Sequence, residues 1–301
     1  MTKNFSCTHL RNLIILITLA LGYGCASAVP DSSSAPTAEE INRVEFEQYS
    51  YSGIYLDISK ETENARATHW KPDGTELYIT GRYTENVVNY SITEPWNIGT
   101  AVYRNEFSVS GETGSTDQQS VPHGLFLRDD GAKMWVFNRT EMWGYNLETA
   151  WDVSTAEKGY YIYLGEHVQR GHDFDFNPGG TRLFIDDRNA QAVHEYHLSA
   201  PWDITTAEWV YSLDISDQEQ EVRGLEMVLG GTIMLLMDTV RQEILQYHLS
   251  EPYNLRTARF LDAFDVSAQA VQPRGLSVHP ELKHIYVTGR DHQQVYQYSR
   301  H

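Results

Sequence analysis

The chain has 301 residues, 41 of them acidic and 23 basic, for a formal charge of −18. Such a field disfavours nucleic acid and anionic membrane surfaces as partners and suits solubility in an extracellular, saline setting. Cys7 and Cys25 are the only cysteines. Neither lies in the body of the chain, so a packed core rather than a disulfide framework must hold it.

The first 28 residues read as an export signal, with Lys3 and Arg11 forming a basic start and LIILITLALGYG an apolar stretch before small residues. That stretch falls short of the roughly 20 residues needed to span a bilayer. Two exits compete. Ala26-Ser27-Ala28 suits a general signal peptidase, whereas Leu21-Gly22-Tyr23-Gly24-Cys25 resembles a lipobox whose cysteine is lipidated. The expected location is outside the cytoplasm: periplasmic, secreted, or an outer-membrane lipoprotein that meets the membrane only through lipid on Cys25. Residues 29–45, rich in Ser, Pro, Ala and Glu, have a tether composition. The folded body is expected over 46–301.

That body repeats. Tyr90, Tyr145, Tyr196, Tyr247 and Tyr298 follow one another at intervals of 55, 51, 51 and 51 residues. Each unit begins with a short apolar run (LFLRDDG, FDFNPGG, LEMVLGG) ending in a turn rich in Asp, Pro and Gly. Two further alternating runs follow (such as RLFID and AVHEYHL), then a stretch related to W-D-I-S-T-A, then a fourth run (WVYSLDIS, FLDAFDVS). Runs of four to eight residues rich in Val, Ile, Tyr, Phe and Trp, bounded by turn residues, are strands. No helical period competes. Four antiparallel strands at this period mark a β-propeller blade.

The fifth unit stops at His301 after three strands, while YSYSGIYLDIS at 49–59 matches the fourth-strand pattern with no strands before it. The two ends therefore complete one blade, which removes open sheet edges. The expected fold is all-β: a five-bladed propeller closed by pairing the N-terminal strand with the last three. In the W-D-I-S-T-A stretches, Trp96, Trp151, Trp202 and Tyr253 are expected to pack between blades. Asn97, Asp152, Asp203 and Asn254 are expected to form Asx turns. The functional alternative is a row of aromatics that stacks sugars.

With Lys71-Pro72-Asp73-Gly74-Thr75-Glu76-Leu77-Tyr78-Ile79 and the W-D-I-S-T-A units in view, residues 48–301 resemble bacterial β-propeller repeat proteins of the YVTN and NHL group. The fifth unit departs from the pattern, as His279-Pro280-Glu281-Leu282 lacks the glycine. The resemblance implies a fold that serves binding scaffolds, lectins and enzymes alike.

Eight residues before each turn glycine stand Arg66, His123, His172 and Arg223, with Arg274 at the equivalent place in the fifth unit. After the second strand comes a further basic column: Arg82, Arg139, Arg188 and Arg290, with Thr239 the exception. Both columns belong at one rim of the central channel. There they would recognise a carboxylate, sulfate or acidic sugar through paired planar donors. The structural alternative pairs them with Glu61, Glu63, Asp117, Glu166, Asp187, Glu219, Glu221 and Asp238.

Residues that break the repeat are the other candidates. Asp173 stands in a column otherwise filled by Ala67, Gly124, Gly224 and Gly275, and Asp175 lies beside Glu226 of the following unit. With Asp186, Asp187 and Asp238 they place carboxylates near the channel. Asp173, Asp175 and Glu226 are thus the catalytic candidates for a glycan hydrolase or lyase. No phosphate loop, dinucleotide fingerprint, nucleophile elbow or catalytic cysteine is present. No cofactor is expected, apart from Ca²⁺ on carboxylates or a transition metal at His172 and Asp173. The first expectation is a non-enzymatic propeller binding a glycan or anionic small molecule at the basic rim; the alternatives are the glycan-active enzyme and an envelope scaffold that contacts another envelope protein.

Overall fold

The computed structural model describes residues 43–110 and 121–301. The export segment, Cys25, tether residues 29–42 and Asp117 lie outside the described residues.

The short β-branched and aromatic runs form strands. β1 (Tyr49–Asp57) opens the body, and the first blade follows as β2 (Ala65–Trp70), β3 (Glu76–Gly81), β4 (Asn86–Ile92) and β5 (Ala101–Ser108). Blade two is β6 (Gly124–Leu127), β7 (Lys133–Asn138), β8 (Glu141–Leu147) and β9 (Ala156–Tyr163). Blade three is β10 (Gly171–Phe176), β11 (Arg182–Asp187), β12 (Ala192–Leu198) and β13 (Ala207–Asp214). Blade four is β14 (Val222–Val228), β15 (Ile233–Asp238), β16 (Glu243–Leu249) and β17 (Ala258–Asp265). β18 (Pro273–Val278), β19 (His284–Gly289) and β20 (Gln294–Arg300) form the fifth sheet, and β1 completes it by pairing with β20, Tyr49 opposite Arg300. This is the five-bladed propeller with the N-terminal closure expected from the repeat.

The packed chain starts slightly earlier than 46. Val44 is fully buried, and its backbone N–H and C=O both bond the Gln246 side chain, at 2.6 and 3.0 Å. An apolar side chain with both peptide groups satisfied belongs to the core rather than to a tether.

Strand faces pack blade against blade. Trp135 and Phe137 of blade two share a buried cluster with Phe174, Leu183 and Ile185 of blade three, and Phe184 and Val193 join Leu225 and Leu236 of blade four. Ile58, Leu77 and Val88 of the first blade likewise meet Tyr286 and Val295 of the fifth. Removing these faces from water drives assembly, at roughly 1.5–3 kcal/mol for each large side chain fully buried.

The W-D-I-S-T-A stretches key neighbouring blades together. Asn97, Asp152, Asp203 and Asn254 each accept a bond from the N–H two residues on, which caps a single 3₁₀ turn. The aromatic before each of them takes a positive φ, between 60° and 68°. This strained geometry lays the ring on the turn glycine of its own blade: a Cβ on Gly180 would lie 2.2 Å from the Trp202 ring. The backbone of the turn is held from the adjacent blade. The Tyr286 hydroxyl donates to the Trp96 carbonyl at 2.6 Å, Tyr78 to that of Trp151 at 2.7 Å, and the Arg182 guanidinium to that of Tyr253 at 2.6 Å.

Candidate functional site

The first strands of the blades surround the channel, and their two ends open at opposite mouths. Register shifts interrupt the pairing of β2 with β3 between Ala65 and Thr68, and of β10, β14 and β18 with their partners at the equivalent points. Arg66, His172, Arg223 and Arg274 sit inside these bulges, a device that re-aims side chains. The neighbouring column must stay small because the inner strands converge there: a Cβ on Gly275 would lie 2.1 Å from the Arg66 carbonyl oxygen.

At this first mouth the two basic columns come together as expected. Glu221 ion-pairs with two of them, bonding Arg188 at 2.8 Å and Arg223 more closely still. Asp187 and Asp238 instead clamp loops. Asp187 accepts from the N–H groups of Gln169, Arg170, Asn189 and Ala190, and Asp238 from those of Gln220, Val240 and Arg241. Burial alone would raise Asp187, but His194 and these N–H groups hold it below the ordinary aspartate value. Glu61 accepts from the Tyr90 hydroxyl, and Glu219 is buried with neither carboxyl oxygen bonded. Thr239, the exception in the second column, accepts from Arg274 at 3.1 Å; Arg274 and Arg290 share the Gln272 carbonyl at 2.8 and 2.9 Å.

His123 and His172 stack with ring centroids 4.8 Å apart. Burial first, then nearby cationic groups, pushes both well below the ordinary histidine value, so they are neutral. His172 Nε2 lies 2.9 Å from Arg223 Nη1 and must accept, because a guanidinium only donates. Its proton therefore sits on Nδ1, which has no partner.

Further along the channel lie the repeat-breaking carboxylates. Asp173 accepts from Phe174 N–H at 3.0 Å and Leu225 N–H at 3.3 Å, and Asp175 from Phe176 N–H at 2.7 Å and Met227 N–H at 2.8 Å. Both thereby tie β10 to β14 on either side of Glu226. Asp186 accepts from the N–H groups of His172 and Asp173 at 2.6 and 2.8 Å. Burial pushes Asp175 and Asp186 up to about 7. Burial, then Asp186, drives Asp173 well above the ordinary value. Burial, then Asp175 and Asp173, does the same to Glu226. No hydrogen bond to the Glu226 carboxyl forms among the described residues.

Glu226 and Asp175 open into the second mouth, a cavity of 420 Å³ walled by Trp70, Phe126, Trp96, Trp202 and Tyr253 with Asp129 at its edge. A narrow space beneath it reaches Asp173. Three of the four W-D-I-type aromatics thus line a cavity while holding blades together; Trp151 does not. His69, a lining residue absent from the sequence-based candidates, is pushed down to about 4 by burial and is neutral. Among the described residues neither lysine nor arginine lines this mouth. Among the described residues no three His, Cys, Asp or Glu side chains are grouped to hold a metal ion.

No protein-family model matches the sequence, and no curated protein does. Solved structures with some likeness include the periplasmic gluconolactonase PpgL of Pseudomonas aeruginosa, at 11% identity over 78% of this chain and 66% of that one, TM-score 0.48. A proposed 6-phosphogluconolactonase of Bacteroides uniformis aligns at 12% identity over 76% and 65%, TM-score 0.47. A functionally unknown protein of Desulfotomaculum acetoxidans aligns at 13% over 75% and 63%, TM-score 0.43. This chain covers less than two thirds of each. Neither the ligand nor the activity follows from these likenesses.

Proposed function

We propose that this propeller is a carbohydrate-binding protein whose ligand ring sits in the aromatic-walled mouth. The observation that carries the reading is one cavity in which aromatic walls surround a carboxyl, Glu226, that no described residue hydrogen-bonds. Aromatic faces receive the apolar face of a sugar ring, while the carboxyl exchanges hydrogen bonds with its hydroxyls at about 0.5–1.5 kcal/mol each. The absence of any lining cation favours a neutral sugar over an acidic one. This puts the glycan at the opposite mouth from the basic rim. The export expected from residues 1–28 would put the protein among extracytoplasmic glycans.

A second reading is favoured by the raised carboxyls. Asp175 and Glu226, on adjacent strands, hold a proton near neutral pH, which is the state a general acid needs. A neutral-glycan array, followed by mass analysis of the bound glycan, tests both readings. An intact glycan, bound about tenfold more weakly by Glu226→Gln, supports the lectin reading. A shortened glycan whose turnover stops in Glu226→Gln and Asp175→Asn supports the hydrolase. Failure of every neutral glycan to bind overturns both and leaves a protein partner as the alternative.

A further inference from the structure

The first mouth contains a charge with no counterpart. Arg66 is only 4% exposed, its Nε and Nη1 are sealed from solvent, and no acceptor among the described residues bonds its guanidinium. The groups it faces make the isolation worse. Arg274, Arg223, Arg82 and Arg290 surround it, His123 and His172 are neutral, and Glu221 is engaged by Arg188 and Arg223. A buried charge normally has a partner, because desolvation costs several kcal/mol per ion. Burial, followed by those arginines, pushes Arg66 down to about 7. A guanidinium nevertheless keeps its proton in proteins, so the strain is relieved by a counter-anion.

Other orphan donors lie in the same place. Arg274, 3% exposed, leaves its Nε unbonded, as does Arg223, and His172 Nδ1–H has no acceptor. Several buried donors without a bonded acceptor, with planar forks suited to paired oxygens, make an anion site.

We propose that this mouth is an oxyanion site, in which a carboxylate, sulfate or phosphate group is held by Arg66 together with Arg274 and Arg223. The site is separate from the aromatic cavity and does not depend on what that cavity binds. The oxyanion neutralises the arginine ring and so stabilises the inner ends of β2, β14 and β18.

The test is calorimetric titration and thermal unfolding with sulfate, phosphate and acetate against chloride, at constant ionic strength, on the whole body and on Arg66→Met and Arg66→Lys. At least one oxyanion should bind the wild type and raise its Tm where chloride does not. Arg66→Met should weaken that binding tenfold or more and, without oxyanion, should melt at a higher temperature than the wild type. Should Arg66→Met not fold, Arg66→Lys carries the test, retaining charge but losing the paired fork and weakening binding by a smaller factor. Chloride matching every oxyanion, or unchanged oxyanion affinity in a folded Arg66 variant, overturns the proposal. Neutral-glycan binding measured on the same Arg66 variants should be unchanged, so loss of the oxyanion site and loss of the glycan site are read separately.

Discussion

At one end of the channel Arg66, Arg82, Arg188, Arg223, Arg274 and Arg290 gather around Glu221. At the other, Asp129, Asp175 and Glu226 line a cavity with no lysine or arginine in its wall. The same strands supply both. His172 and Asp175 are three residues apart on β10, and Arg223 and Glu226 are three apart on β14. An inner strand with one bulge thus offers a basic residue to one mouth and an acidic one to the other. The basic residue recurs in every blade, whereas the acidic one belongs to blades three and four, the equivalent residues elsewhere being His69, Phe126 and Ser277. The two mouths are therefore expected to take different ligands.

The largest effect expected on this contrast comes from Trp202→Ala. The indole stacks on Trp135 at 5.5 Å and meets Phe176 at 5.3 Å, so its loss should cost about 3 kcal/mol in chemical denaturation. Glycan binding should vanish in the folded variant, and oxyanion binding should persist. Loss of both would break the separation of the mouths.

Next, Glu226→Gln should weaken glycan binding about tenfold, in line with loss of one hydrogen bond. Its oxyanion affinity, measured in the same titration, should match the wild type. A smaller effect separates the mouths by salt. Between low and physiological ionic strength, oxyanion affinity at the partly exposed arginine ring should fall several-fold, because screening shortens to about 8 Å. Glycan affinity should stay constant.

The smallest effect lies at the edge of the arginine mouth. Burial, followed by Asp238, raises Glu219 to about 8, above the ordinary 4.5, with Asp186 and Glu221 adding to the push. A carboxyl raised on folding contributes stability that is full below its unfolded value and lost as pH rises through the folded one. Thermal unfolding should therefore show the wild type losing stability between pH 4.5 and about 8, and Glu219→Gln losing less over that window. Equal slopes would show that Glu219 ionises freely in the folded protein.

Much of the architecture was legible because it is periodic. Four strand-like runs per unit, the half-blade at each end and the Asx turns after Trp96, Trp151, Trp202 and Tyr253 all depend on local chemistry repeated at fixed intervals. The convergence of Asp173, Asp175 and Glu226 was legible for the opposite reason, since each breaks a column. What could not be read was partnership. Asp187 and Asp238 stand one residue before the second basic column, yet their carboxyls turn to loop N–H groups, a choice made by loop geometry rather than by residue type. The isolation of Arg66 likewise depends on Glu221 being taken by Arg188 and Arg223 and on Glu61 turning to Tyr90. The aromatic cavity draws His69, Phe126, Asp175, Glu226 and Ser277 from one repeat column, three residues after the basic one, but the residue type changes from blade to blade, so the column does not announce a shared role.

The seam of the ring has a consequence for how the protein is made. β1 emerges from the ribosome long before β20, its only strand partner. Until the fifth sheet exists, the edge of β1 is an unsatisfied template, and the three strands β18, β19 and β20 present the matching vacancy. At high concentration strand exchange at this blade is the misassembly the seam predicts, the β1 of one copy pairing with the β20 of another. The pairing that completes the fifth sheet is also a joint that two chains could share.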